Sequence, residues 1–182
     1  MHHNRQGCAC GCPPEGDRRS FLKLAALGGG AMLLSATPVR HAAAAGNVEA
    51  LLLSCMDYRL VDDVARYMDG RGLTNNYDQI ILAGAGLGAL TGKQPAWGET
   101  FWKHVEVAKA LHGIKRVIVM DHRDCGAYKV FLGMDLKDDR AKETAVHAEV
   151  LAELGAMIRE KHPDLGVELL IMALDGTVEK VG

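Results

Sequence analysis

The stretch from Arg116 to Tyr128 reads RVIVMDHRDCGAY, an apolar run followed at once by titratable side chains. The β-branched and apolar residues between Arg116 and Met120 predict a buried strand. His122 and Cys125 follow the end of that strand, with two residues between them. A buried strand that leads directly into a polar turn is typical of the sheet edge where α/β proteins bind their ligands.

Outward from this stretch, strand-like and helix-like segments alternate along the chain from residue 47 to the end. Further apolar runs predict strands at Val48–Ser54, Gln79–Ala83 and Val167–Ala173, and a short edge strand at Thr177–Val181. Apolar residues at helical spacing predict helices over about 60–68, 98–112 and 140–161. The alternation predicts an α/β fold in three layers, with a mostly parallel sheet covered by helices on both faces.

Two cysteines of this region follow predicted strands, Cys55 after the first and Cys125 after the third. Because the carboxyl ends of parallel strands meet at one sheet edge, Cys55, His122 and Cys125 can reach one ion. Two thiolates and an imidazole suit zinc, and three protein ligands leave a fourth position open, as in catalytic sites. We therefore expect one Zn²⁺ per chain. A disulfide between the cysteines and a pair of inert buried thiols are the alternatives.

Two charged residues lie close behind the first cysteine, Asp57 two positions and Arg59 four positions after Cys55. Asp57 is predicted either to be a fourth metal ligand or to accept a hydrogen bond from a water on the metal. Arg59 is predicted to hold Asp57 in a bidentate ion pair. The alternative is that Asp57 only caps a helix and Arg59 only forms a surface ion pair.

The pattern Cys-x-Asp-x-Arg at the first strand exit, followed by His-x-x-Cys-Gly at a later one, resembles the β-class carbonic anhydrases from about Val48 to the C-terminus. The resemblance implies a four-stranded core in the order 2-1-3-4 and a gating role for Asp57 and Arg59. It also implies reversible hydration of carbon dioxide to bicarbonate by a zinc-bound hydroxide, in a homodimer or larger homo-oligomer. Residues expected in the substrate pocket are Gly84, Ala85, Gly86 and Gly126.

One residue departs from the family pattern next to a ligand. Asp121 stands where the family commonly has Gly before its ligand His, and we expect it to add a negative charge near the metal. His147, on the helix over 140–161, is interpreted as a packing residue. Two other functions stay open from the sequence: hydrolysis of COS or CS₂ on the same zinc site, and a non-enzymatic zinc-binding or redox-sensing role.

Residues 1–45 differ in charge from the rest of the chain, with a net charge of +3 against −5 for residues 46–182. The string Arg18-Arg19-Ser20-Phe21-Leu22-Lys23 precedes a short apolar run and then the small residues Ala42–Gly46. This order is typical of a secretory signal, and the string resembles the twin-arginine signal. We expect the twin-arginine export machinery to recognise it, cleavage after Ala44 or Ala45, and a periplasmic location.

Other features of the chain exclude two classes of partner. The apolar run over 24–36 is shorter than the roughly 20 residues that a bilayer span requires, so no stable membrane anchor is expected. A net charge of −2 with scattered Lys and Arg argues against a nucleic-acid-binding protein. Cys8, Cys10 and Cys12 lie near Pro and Gly and are expected in a flexible tail ahead of the signal.

Overall fold

The structure, a computed structural model, describes residues 46–181, which form a five-stranded sheet in the order β2-β1-β3-β4-β5. The strand bounds are β1 Ala50–Ser54, β2 Tyr77–Ile81, β3 Arg116–His122, β4 Gly166–Met172 and β5 Val178–Lys180. The first four strands are parallel, and β5 pairs antiparallel with β4. The predicted α/β fold, its strand order and its short edge strand are confirmed.

Five α-helices connect the strands of the described region, preceded by a 3₁₀ turn at Tyr58–Leu60. The helix bounds are α1 Val61–Gly70, α2 Gly86–Leu90, α3 Pro95–His112, α4 Gly126–Leu132 and α5 Arg140–Lys161. The sequence predicted α1, α3 and α5. It did not predict α2 and α4, because helices of five and seven residues are too short to show apolar periodicity.

The sheet separates two hydrophobic cores because successive strand residues point to opposite faces. Leu51 and Leu53 of β1 lie in the core that α3 and α5 cover. Leu52 lies in the core on the other face, which α1 covers. On β3, Val119 belongs to the first core and Met120 to the second. These two cores give the predicted three layers.

The pairing of β1 with β3 determines where the candidate ligands lie. The two strands are parallel neighbours, and Ser54 at the end of β1 pairs with Met120 of β3. Cys55 therefore leaves the sheet beside the last two residues of β3, Asp121 and His122. The carboxyl edge of the sheet thus collects side chains that are distant in sequence.

The predicted export signal at residues 1–45, with Cys8, Cys10 and Cys12, lies outside the described residues. Within residues 46–181, none of the helices combines the length and the apolar character that crossing a membrane demands.

Candidate active site

Three soft ligand side chains converge at the carboxyl edge of the sheet. Cys55 follows β1, His122 is the last residue of β3, and Cys125 is the N-cap residue of α4. The Sγ atoms of Cys55 and Cys125 lie 3.9 Å apart. One ligand atom from each of the three residues lies within 4.8 Å of the other two. The structure thus brings together the set that the sequence predicted as metal ligands.

The geometry of this group fits a tetrahedral zinc ion. Zn–S bonds of about 2.3 Å in a tetrahedral site separate two sulfurs by about 3.8 Å. The observed separation of 3.9 Å is close to this value, and far longer than a disulfide bond. Both cysteines of the described region are free thiols, so the disulfide alternative is not formed.

The His122 ring is oriented as a metal ligand requires. Its Nδ1 lies 2.8 Å from the carbonyl oxygen of Arg123, which can only accept, so Nδ1–H donates this bond. Its Nε2 is buried and has no hydrogen-bond partner among residues 46–181. A carbonyl that fixes one ring nitrogen and leaves the other free to coordinate is the usual environment of a ligating histidine.

The two thiols have opposite pKa shifts in the metal-free protein. The pKa of Cys55 is lowered to about 4, chiefly by a hydrogen bond from Cys125. The neighbouring His122 and the Gly84 N–H, 3.3 Å from the sulfur, lower it further. The same contact with Cys55 and burial raise the pKa of Cys125. Burial disfavours the charged form of His122, but the neighbouring Cys55 thiolate raises the pKa of His122 overall. The contact between the two sulfurs therefore favours a thiolate on Cys55 over one on Cys125, and a metal bound to both would require the second proton to leave.

Asp57 and Arg59 form an ion pair beside the ligand group. Arg59 Nε and Nη2 donate to Oδ1 and Oδ2 of Asp57 at 3.0 and 2.8 Å, and the Arg59 backbone N–H donates to Oδ1 at 3.0 Å. These bonds lower the pKa of Asp57 to about 2 and raise that of Arg59. Asp57 Oδ2 also lies 3.8 Å from His122 Nε2. The Asp57 carboxylate thus binds Arg59 here while remaining next to the ligand group.

A second carboxylate binds the same guanidinium, and sequence reasoning did not single it out. Arg59 Nη1 donates to Asp124 Oδ2 at 2.8 Å, and Arg59 Nη2 donates to the Asp124 carbonyl at 3.0 Å. Asp124 has a φ of 55°, in the left-handed region. Its position inside His-x-x-Cys, one residue before a ligand, is the sequence signal that could have identified it.

A cavity of about 410 Å³ opens in front of the ligand group. Its lining residues are Cys55, Met56, Asp57, Tyr58, Ala83, Gly84, Cys125, Gly126, Ala127, Val130 and Phe131. Of the four predicted pocket residues, Gly84 and Gly126 line this cavity. Ala85 and Gly86 do not line this cavity, and the Gly86 N–H donates to Asp121 Oδ1 at 2.9 Å. The other lining residues are mostly apolar.

Asp121 lies in a buried hydrogen-bond network on the face of the sheet that α3 and α5 cover, the face opposite the His122 side chain. Besides Gly86, it accepts hydrogen bonds at Oδ2 from the Tyr128 hydroxyl at 2.6 Å and from His147 Nδ1 at 2.8 Å. Strand alternation turns the side chain of Asp121 away from that of His122. The Asp121 carboxylate nevertheless lies close enough to Cys125 to contribute to the raised pKa of that thiol. His147 is buried as its packing role requires, and it also takes part in this network.

Fold and site together define a class: an α/β protein with a Cys-His-Cys group, suited to a soft metal, at the carboxyl edge of a parallel sheet. Residues 45–181 match the model of the family described as "Putative carbonic anhydrase". The chain belongs to this family.

Two relatives and one solved structure are similar to the chain. An uncharacterized protein of Rickettsia conorii is 39% identical over 141 residues, covering 78% of this chain and 76% of the relative. An uncharacterized protein of Rickettsia bellii is 37% identical over 141 residues, covering 78% and 86%. The β-carbonic anhydrase CafD of Aspergillus fumigatus aligns at a TM-score of 0.50 and 11% identity, covering 80% of this chain and 94% of that one. At such identity, the likeness concerns the fold alone.

Proposed function

We propose that the protein binds one Zn²⁺ through Cys55, His122 and Cys125 and catalyses the reversible hydration of carbon dioxide. The observation that carries the proposal is the unpartnered Nε2 of His122, which lies among two thiol sulfurs 3.9 Å apart. Membership of a carbonic anhydrase family supports the reaction class. Zinc, when bound, supplies a Lewis acid that lowers the pKa of a water toward about 7.

The residues around the ligand group have complementary tasks in this reaction. The apolar part of the cavity, with Val130 and Phe131, suits an uncharged substrate such as carbon dioxide. Asp57 Oδ2 lies 3.8 Å from His122 Nε2, so it could accept a hydrogen bond from a water bound to a metal held there or could itself ligate that metal. Arg59 holds the Asp57 carboxylate by two side-chain hydrogen bonds and would so restrain it from ligating the metal.

Stopped-flow measurement of CO₂ hydration, combined with metal analysis, tests the proposal. Cys55→Ser and Cys125→Ser should lose nearly all zinc, because each removes one of three ligands. Asp57→Asn should keep zinc and lose about a hundredfold in turnover, since the amide cannot act as a carboxylate acceptor. Asp138→Asn, at an exposed carboxylate, is the matched control and should leave turnover within about twofold of the parent.

The alternative functions are outcomes of the same experiment. The zinc-loaded parent is also assayed with COS and CS₂, because the apolar lining admits these uncharged substrates as well. Hydrolysis of COS or CS₂ without CO₂ hydration would assign the site to sulfur substrates. Tight zinc binding without turnover of CO₂, COS or CS₂ would indicate a zinc-binding or redox-sensing protein.

We further propose that the protein forms a homo-oligomer. Three apolar or aromatic residues that line the cavity are strongly exposed: Met56 at 66%, Tyr58 at 85% and Val130 at 70%. A second copy that covers them would remove apolar surface from water next to the cavity. Light scattering after size-exclusion chromatography tests this, and Val130→Asp should shift the protein to monomer. A monomeric parent at micromolar concentration would contradict the proposal.

Export to the periplasm by the twin-arginine route is proposed from the sequence of residues 1–45. The support is the Arg18-Arg19 pair, the apolar run behind it and the small residues before the domain. Replacing both arginines with Lys keeps the charge and changes the recognised pair. Precursor should then accumulate in the cytoplasm, and unchanged export would contradict the twin-arginine route.

A further inference from the structure

Asp124 binds a second edge of the Arg59 guanidinium, next to the edge that Asp57 binds. Asp57 takes Nε and one hydrogen of Nη2, while Asp124 takes Nη1 with its carboxylate and Nη2 with its carbonyl. The planar guanidinium is thus held on both edges. We infer that Asp124 is a positioning residue, which keeps Arg59 in place so that Arg59 can hold and recover the Asp57 carboxylate.

The conformation of Asp124 is imposed from a distant helix. Its backbone N–H donates to Oε1 of Glu143 at 2.6 Å, and Glu143 is buried on α5. The other oxygen of Glu143, Oε2, accepts from Arg123 at 3.3 Å. Asp tolerates the left-handed φ of 55° better than most residues with a side chain. The main chain of Asp124 is therefore fixed independently of Arg59, as an anchor requires.

The need for an anchor follows from how exposed the ion pair is. The side chain of Arg59 is 32% exposed, and a single ion pair at such a surface restrains a long side chain weakly. If the Asp57 carboxylate leaves Arg59 during turnover, two of the guanidinium hydrogen bonds are lost. The two bonds to Asp124 remain and keep Arg59 where Asp57 can return to it.

Two substitutions separate this role from a role of the loop backbone alone. Asp124→Gly keeps the left-handed conformation, which Gly adopts freely, but removes the carboxylate. Asp124→Asn also tolerates that conformation and keeps a neutral acceptor for Arg59 Nη1. We expect Asp124→Gly to retain zinc and lose about tenfold in turnover, and Asp124→Asn to lose about twofold. Parent-like turnover in Asp124→Gly would show that only the backbone matters and would overturn the inference.

A double substitution tests whether Asp124 acts through Arg59. Arg59→Ala removes the residue that Asp124 is inferred to position. In that background, Asp124→Gly should cost nothing further, because coupled residues are not additive. A further tenfold loss in the double variant would mean that Asp124 acts elsewhere and would overturn the inference.

The activity measurements rest on the proposed function, so a second readout does not use activity. In the metal-free full chain, nitrogen NMR follows the Arg59 guanidinium, assigned by its loss in Arg59→Lys. Carboxylates on both edges slow the exchange of Nη1 with Nη2, and Asp124→Gly should raise that exchange rate at least tenfold. An unchanged rate overturns the inference. A raised rate in a protein whose zinc-loaded parent hydrates no CO₂ supports the inference while rejecting the proposed function.

Discussion

Replacing Tyr128 with Phe removes one donor from a buried carboxylate and keeps the shape of the side chain. The Tyr128 hydroxyl donates to Asp121 Oδ2 at 2.6 Å, and both residues are 1% exposed. Asp121 keeps its bonds from the Gly86 N–H and from His147 Nδ1. A hydrogen bond to a charged group contributes about 1.5–3 kcal/mol, so the free energy of unfolding should fall by about 2 kcal/mol.

Equilibrium urea unfolding of the full chain, followed by circular dichroism, measures this loss. For a domain of this size, the melting temperature should fall by about 8 °C. Tyr58→Phe is the matched control, because the Tyr58 side chain is 85% exposed. Its effect should stay within about 0.5 kcal/mol. A loss below about 0.5 kcal/mol in Tyr128→Phe would refute the claim that this hydroxyl stabilises the network.

The pH dependence gives the prediction a second test. Burial, together with the nearby Asp121, raises the pKa of Tyr128 above its ordinary value of 10.0. A raised folded-state pKa means that the stabilisation is fully present below the unfolded value and is lost as the pH rises through the folded one. The difference between parent and Tyr128→Phe should therefore be constant up to about pH 10 and shrink above it.

Three further predictions concern the site and the packing around it. In the metal-free protein, iodoacetamide at pH 6 should alkylate Cys55 faster than Cys125, because the pKa of Cys55 is lowered to about 4. Peptide mass spectrometry measures the two rates, and added zinc should protect Cys55 from alkylation. Arg59 lowers the pKa of Asp57 from 3.8 to about 2, so the stability that Asp57 contributes is present above about pH 4 and is lost as the pH falls toward 2. Carbon NMR should find the pKa of Asp57 back near 3.8 in Arg59→Ala. Gly88→Ala would place a Cβ 2.5 Å from the carbonyl oxygen of Ala83 and should lower the free energy of unfolding in urea by about 1–3 kcal/mol. Gly92→Ala is the control, because no described atom lies within 4 Å of its Cβ, and it should be nearly neutral.

The sheet and the ligand set could be predicted because their signals are local. A β-branched run such as Arg116–Met120 indicates a buried strand without knowledge of its neighbours. Once the strands are parallel, their carboxyl ends meet, so Cys55 and His122 are brought together by topology alone.

The orientation of Asp121 could also have been predicted, by counting along the strand. Successive strand residues face opposite sides of the sheet. Asp121 therefore shares the face of Val119, and the side chain of His122 lies on the other face.

Two features of the site could not be predicted from the sequence. They are the contact between Arg59 and Asp124 and the absence of Ala85 and Gly86 from the cavity lining. Arg59 and Asp124 are 65 residues apart, and no local pattern encodes their contact. Ala85 has a φ of 41°, which most residues with a side chain avoid, so its inward position depends on the surrounding packing.

The position of the ligand group on two strands also has a consequence for the connectivity of the chain. Cys55 and Cys125 are 70 residues apart in sequence, and an ion that bridges them would close a loop containing β2, β3 and three α-helices. By chain-entropy arithmetic, a cross-link of that span removes about 4 kcal/mol of freedom from the unfolded ensemble. Because Cys55 and His122 stand at the ends of different strands, the ligands converge when β1 pairs with β3, and an ion would then bind to a sheet that has already formed. Its presence should therefore slow unfolding strongly and leave the rate of folding almost unchanged.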